Sequence, residues 1–259
     1  MWDAQRLDRR RGAALPNAPM PSLAQPPPAA VLLDAGFTLI FPDGERIAAP
    51  ARAVGLDVDP AAIEGVEDAI RRELARFVWP GTPDRAASAG ALSGGVALFR
   101  RFLELAHPDA GGELLDRAAA ASWQAHLARN AWARVGAGVP EALARLRAAG
   151  IRLAVVSNSE GTVAAVLAEV GLARAFDTIV DSWEVGIAKP DPAIFHVALD
   201  RLGVPPGAAV MVGDTPATDV AGARAAGVRA ALIDPLDLHR DVDVRRFRDL
   251  AGVVDALLG

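Results

Sequence analysis

Apolar and polar positions along the chain follow two regimes. Between residues 45 and 130 apolar residues recur at helical spacing, as in Ile63, Val66, Ile70 and Leu74 and again in Val96, Phe99, Phe102 and Leu103. A stretch rich in Gly, Ser, Pro and Ala from Pro80 to Gly95 interrupts this block and predicts a loop. No strand signal of comparable strength stands inside the block. From Pro140 onward helices and strands alternate. The pattern predicts helices over Glu141–Ala149, Thr162–Val170, Pro192–Leu202 and Asp219–Ala226, with a glycine closing or following each. Between them it predicts strands over Ile151–Val156, Phe176–Val180, Ala208–Val212 and Val228–Ile233. An earlier run, Ala29 to Leu33, is apolar on both faces and ends in Asp34, as a central parallel strand would. Strands separated by helices imply an α/β fold, a Rossmann-like parallel sheet. The expected organisation is a core of residues 29–44 and 136–259 with a helical cap, 45–135, inserted after the first strand. No internal repeat is evident.

Residues 1–28 read as a tail. They hold Arg9-Arg10-Arg11 and then Pro16, Pro19, Pro21 and Pro26-Pro27-Pro28, a composition that favours disorder or polyproline-like extension. No apolar segment follows the basic cluster, so a secretory signal is not expected, and Met20 is an alternative start. The expected location is cytoplasmic.

Composition narrows the function. With 259 residues and 52% hydrophobic content, the chain can bury roughly three quarters of its unfolded surface and is not a disordered protein. No apolar run approaches the roughly 20 residues of a membrane span, so no membrane partner is expected. A net charge of −5 with scattered Arg argues against a nucleic-acid surface. Cysteine is absent, which removes thiolate chemistry and Cys-based zinc sites. The four histidines show no metal-ligand spacing. The sequence contains a single lysine, Lys189, so one side-chain amine is available to it.

Open α/β sheets carry their sites at the carboxyl ends of the strands. Four polar segments fall there: Asp34 to Leu39, Ser157-Asn158-Ser159, Lys189-Pro190-Asp191-Pro192, and Gly213-Asp214 with Asp219 five positions on. Each alone has an ordinary reading as a cap, a turn or a solvated charge. Together they converge on one sheet edge. Asp34 and Asp214 would repel there unless a cation intervened, and a hard divalent ion held by oxygens meets that need. A hydroxyl and a fixed amine beside carboxylates suit a transferring phosphoryl group.

The ordered set resembles the haloacid dehalogenase (HAD) superfamily. Asp34-x-Gly36-x-Thr38-Leu39 looks like its first motif, Ser157 its second, Lys189 its third, and Gly213-Asp214 with Asp219 its fourth. The likeness spans roughly residues 29–235, and the inserted helical block looks like the family's C1-type cap. The resemblance implies that Asp34 is the nucleophile and forms an aspartyl-phosphate. Ser157, Asn158 and Lys189 would bind phosphate, and magnesium would sit on Asp34, the Gly36 carbonyl and Asp214. Asp219 would orient Lys189 or bind a metal water, and Thr38 would support the loop. The implied partner is a small phosphorylated substrate.

One position departs from the pattern. Family phosphatases usually carry an acid/base Asp two residues after the nucleophile, and this chain has Gly36 there. General acid catalysis is worth typically ~10²–10⁴-fold, so substrates with good leaving groups, acyl or aryl phosphates, are favoured. Asp43 would substitute only if its loop folded back; otherwise it and Asp191 are turn residues. The alternatives are a non-catalytic phosphate-binding or regulatory protein and a metal-independent 2-haloacid dehalogenase. The Gly213-Asp214 form disfavours the second. A phosphonoacetaldehyde hydrolase needs a cap lysine that is absent here. A P-loop needs Gly-Lys-Ser/Thr, but Lys189 precedes Pro190.

Overall fold

The computed structural model describes residues 27–77 and 94–259. The expected tail at 1–28 and the expected loop from Pro80 to Gly95 lie almost wholly outside the described residues.

In chain order the strands are β1 (Ala30–Leu33), β2 (Ile40–Pro42), β3 (Trp132–Val135), β4 (Arg152–Ser157), β5 (Thr178–Asp181), β6 (Ala209–Gly213), β7 (Arg229–Ile233) and β8 (Arg245–Phe247). Six of them form one sheet in the order β5-β4-β1-β6-β7-β8, and every pairing in it is parallel. Side chains of a strand alternate between faces. Val31 and Leu33 of β1, Leu153 and Val155 of β4, and Val210 and Val212 of β6 face one core. Ala30 and Leu32, Ala154 and Val156, and Ala209 and Met211 face the other. Burial on both sides explains why these strands read as unbroken apolar runs. The first core is covered by α6 (Val139–Ala148), α7 (Val163–Glu169) and α11 (Leu250–Leu258). The second is covered by α9 (Pro192–Leu202) and α10 (Ala221–Ala225), and the short α8 (Ser182–Val185) lies between β5 and α9. Each large aliphatic side chain withdrawn from water there contributes roughly 1.5–3 kcal/mol.

Among the described residues five helices lie between β2 and β3: α1 (Gly44–Ala53), α2 (Pro60–Gly65), α3 (Glu67–Phe77), α4 (Gly95–Ala106) and α5 (Gly112–Ala128). They share a separate apolar cluster that includes Ile47, Ile63, Ile70, Phe99, Phe102 and Leu103. The two connections between this block and the sheet run side by side, because β2 pairs antiparallel with β3. Sequence periodicity does not reveal that ribbon. Its strands are three and four residues long, and one contains Pro42. The ribbon also joins residues that the division at 44/45 and 135/136 would separate. Beyond Ile233 the sheet gains β8 and the chain closes with α11, two further elements that the pattern did not predict.

Strand order sets the location of the site. From β1 the chain builds outward through β4 to β5 on one side, then crosses back to β6 and builds outward through β7 to β8 on the other, so a crevice opens at the carboxyl ends of β4, β1 and β6.

Candidate active site

Register puts the key residues level with one another. Leu33 of β1 is opposite Val155 of β4 and Val212 of β6. Asp34 therefore emerges one residue beyond the strand, tied by its backbone N–H to the Val212 carbonyl at 2.9 Å. Ser157 ends β4, and Gly213 ends β6 immediately before Asp214. After Asp214 the chain makes a π-helical turn, Pro216–Val220, instead of starting an α-helix at Asp219. Such wide turns commonly occur at functional sites. This one turns the Asp219 side chain back onto the strand end, where its Oδ2 accepts the Thr215 N–H at 2.9 Å. The fit requires glycine at 213, since a Cβ there would lie 2.2 Å from Asp219 Oδ2.

Lys189 enters from the loop before α9. Asn158 holds its backbone from both sides: Asn158 Oδ1 accepts the Lys189 N–H at 2.8 Å, and Asn158 Nδ2 donates to the Lys189 carbonyl at 2.9 Å. The side chain of Asn158 thus positions Lys189, and Asn158 lines the same cavity as Ser157. The Lys189 amine lies 2.5 Å from Asp34 Oδ1 and 2.7 Å from Asp219 Oδ1, with the lysine and Asp219 buried. Burial alone would lower the lysine pKa, but the two carboxylates, Asp219 and then Asp34, outweigh it and raise it well above the usual amine range. Lys189 is a fixed cation.

One oxygen from each of Asp34, Asp214 and Asp219 lies within 4.8 Å of the others. Burial pushes the Asp34 carboxyl up to about 6, with the Lys189 charge opposing the rise and Asp219 adding to it. Burial pushes Asp214 up to about 7, helped by repulsion from Asp34 and then Asp219. Beyond burial, the repulsion reflects an excess of negative charge at the site. Three carboxylates face two cations, Lys189 and Arg71. A divalent cation fits this donor set, because hard oxygen ligands and uncompensated charge are what magnesium selects. Asp34 and Asp214 have coordinating capacity. Asp219 is occupied by Lys189 and Thr215, so it acts on the amine.

Arg71 lines this cavity and was not among the residues the sequence pointed to. It comes from α3, is buried, and lies 3.7 Å from Asp214 Oδ2 through Nη1. Its Nη2 donates to the Phe37 carbonyl at 3.0 Å, its Nε pairs with Glu67 at 3.1 Å, and its guanidinium lies 4.4 Å from the centre of the Phe37 ring. Phe37 needs such support, since its backbone is left-handed at φ 53°. In sequence Arg71 is only half of a Glu67–Arg71 helix pair, with nothing to distinguish it from a surface ion pair.

The other candidates divide. Ser157 lines the same cavity as Asp34, Gly36, Lys189, Asp214 and Asp219. Thr38 is buried behind the loop with its hydroxyl unpartnered. Asp43 caps α1 by accepting the Arg46 N–H at 3.1 Å and does not line the cavity, so it is no substitute acid. Asp191 caps α9 through the Ala193 N–H.

The cavity, about 540 Å³, continues past these residues to a wall from the helical block that includes Trp123, His126 and Trp132. The Ala131 N–H donates to His126 Nδ1 at 3.0 Å, which leaves the ring hydrogen on Nε2, 3.4 Å from Glu160 Oε2. That contact lowers the Glu160 pKa against its burial.

Residues 31–227 match the family model of haloacid dehalogenase-like hydrolases. The chain belongs to that family. A HAD phosphatase from Thermococcus onnurineus, a solved structure, superposes with a TM-score of 0.53 at 25% identity, covering 88% of this chain and 97% of that one. Human haloacid dehalogenase-like hydrolase domain-containing protein 3 is 32% identical over 211 residues, 77% of this chain and 78% of the human one. Phosphoserine phosphatase of Thermus thermophilus is 45% identical over 114 residues, 41% of this chain. The chain spans less than half of that enzyme, 46% of its length. Among the described residues no helix is long and apolar enough to cross a membrane.

Proposed function

We propose that this HAD-like hydrolase is a magnesium-dependent phosphatase of small cytoplasmic metabolites, with Asp34 as nucleophile. The observation that carries the reading is the buried Lys189 amine held between Asp34 and Asp219, with Asp214 beside them. Relatives named as phosphatases support the reaction class.

Each residue then has a definite task. The Asp34 carboxylate attacks phosphorus in line, forming a new O–P bond as the leaving oxygen departs with its electron pair. Lys189 offsets charge on the carboxylate and on the phosphoryl oxygens. It stays protonated throughout because Asp219 shares it. The Ser157 hydroxyl donates to a phosphoryl oxygen. Asn158 keeps the lysine loop in place. Arg71 balances Asp214 from the helical side. Asp34, Asp214 and the Gly36 carbonyl would hold magnesium, which supplies charge neutralisation for an anionic substrate. Water then cleaves the aspartyl-phosphate. Gly36 has no proton to give, so the leaving group departs unprotonated and good leaving groups are favoured. The missing side chain also favours a second reading, a phosphate-binding protein without turnover.

Phosphate release from acetyl phosphate and p-nitrophenyl phosphate in magnesium tests the proposal. Turnover is expected with wild type and is lost in Asp34→Asn. Tight magnesium-dependent phosphate binding without release in wild type would establish the second reading instead.

A further inference from the structure

We infer that the cavity beyond the phosphoryl site is a subsite for an uncharged aromatic leaving group, making aryl phosphate monoesters the preferred substrates. This rests on the phosphatase reading above and adds what the leaving group must be.

The first support is the wall itself. Trp132 stands nearest the phosphoryl site: a Cβ built on Gly36 would be 3.7 Å from its indole Cδ1 and Nε1. The bare glycine therefore opens the nucleophile loop toward an aromatic edge. Behind it Phe37 meets Trp132 edge-on at 6.1 Å, His126 meets it edge-on at 5.6 Å, and Trp123 stacks on His126 at 5.1 Å. Aromatic rings pack favourably in such offset and edge-on arrangements, worth about 0.5–1.5 kcal/mol a pair beyond area burial.

Charge is the second support. Among the described residues the arginine and lysine lining the cavity are Arg71 and Lys189. Both are committed, Arg71 to Glu67, Asp214 and the Phe37 carbonyl, and Lys189 to Asp34 and Asp219. Glu160 adds a negative charge at the rim. A leaving group with its own carboxylate would meet that charge and find no uncommitted arginine or lysine among the described residues, whereas a neutral ring can pack on Trp123 and Trp132 and carries no charge for Glu160 to repel.

The third is the chemistry. With no acid at Gly36, the P–O bond breaks as the Asp34 O–P bond forms, and the leaving oxygen carries off the electron pair. An aryloxide delocalises that charge and takes its proton from solvent afterwards. A phenol loses its proton near pKa 10, so the step needs no enzymatic donor.

The test separates ring recognition from leaving-group reactivity. Steady-state kinetics with magnesium would compare phenyl phosphate with a fluorinated alkyl phosphate of similar leaving-group acidity, with phosphoglycolate, and with acetyl phosphate. The expected kcat/KM for phenyl phosphate exceeds that of the matched alkyl ester by at least about tenfold, and Trp132→Leu raises its KM by about tenfold, far more than that for acetyl phosphate. Phenylphosphonate should likewise inhibit wild type more tightly than methylphosphonate, a measurement independent of any variant. Equal kcat/KM for the matched esters, a preference for phosphoglycolate, or equal inhibition by the two phosphonates overturns the inference. Acetyl phosphate turnover alongside such results leaves the phosphatase reading standing. No turnover of any substrate overturns that reading itself.

Discussion

Gly36 is the residue on which the chemistry of this site turns. A Cβ built there would meet the Trp132 indole at 3.7 Å, an ordinary contact distance, and the backbone is not in the left-handed region, so neither crowding nor strain demands glycine there. A carboxylic acid can be introduced. Gly36→Asp should therefore raise kcat on an alkyl phosphate such as ethyl phosphate, by up to ~10²-fold, and change phenyl phosphate turnover little. Parallel kinetics on the two substrates checks this, and a variant that gains on neither would show that the acid is not the missing part. Individual residues were unevenly legible. Asp34, Ser157 and Asp214 stand at strand ends in a parallel sheet, and Lys189 and Asp219 in the segments that follow β5 and β6, where topology brings polar residues together. Arg71 was not legible, since it reaches the cavity only through the packing of a helix distant in sequence from the strand ends, and the role of Glu160, on the loop after β4, shows only in its contact with His126. The tie between the Asn158 side chain and the Lys189 backbone, 31 positions away, is likewise one that spacing alone does not reveal.

At the scale of elements, the link between β6 and the turn after it is the most constrained join. The Asp219 side chain lies against the Cα of Gly213, with no room for a methyl group. Gly213→Ala should force Asp219 outward, release Lys189 from one of its two carboxylates and destabilise the fold by about 1–3 kcal/mol. Thermal melting reads the stability loss and phosphate release reads the site, and both should fall together. The three central strands were plain in the sequence because burial on both faces leaves an unbroken apolar signature. The β2–β3 ribbon and β8 leave none, being short, partly exposed and stabilised by pairing that a local pattern cannot reveal. The π-helical turn was read as the start of a helix, since its Pro-Ala-Thr-Asp composition suits either.

Across the whole molecule, buried acids make stability depend on pH in an unusual sense. Asp34 and Asp214 titrate near 6 and 7 in the folded protein against 3.8 otherwise, so through that window the folded state binds more protons than the unfolded chain. Stability of the metal-free protein then falls as pH rises from about 4 to about 7. Salt-bridged carboxylates such as Glu73 and Asp177, whose pKa values are lowered, act oppositely but below that window. His239, lowered from 6.5 by burial, opposes the trend as one group against two. Melting temperature without magnesium should therefore drop between about pH 4 and pH 7, and the drop should shrink in Asp214→Asn. Magnesium should raise the melting point far more at the alkaline end, because protons compete for the same oxygens. A metal-free melting profile that is flat or rises with pH would contradict this account of the site.

Lys189 has a consequence outside catalysis. Reagents that acylate or cross-link primary amines find no exposed ε-amino target on the folded surface, since the sole one is enclosed and kept protonated. Chemical attachment through lysine is thereby coupled to loss of structure, and the surface answers to arginine- and carboxyl-directed chemistry instead.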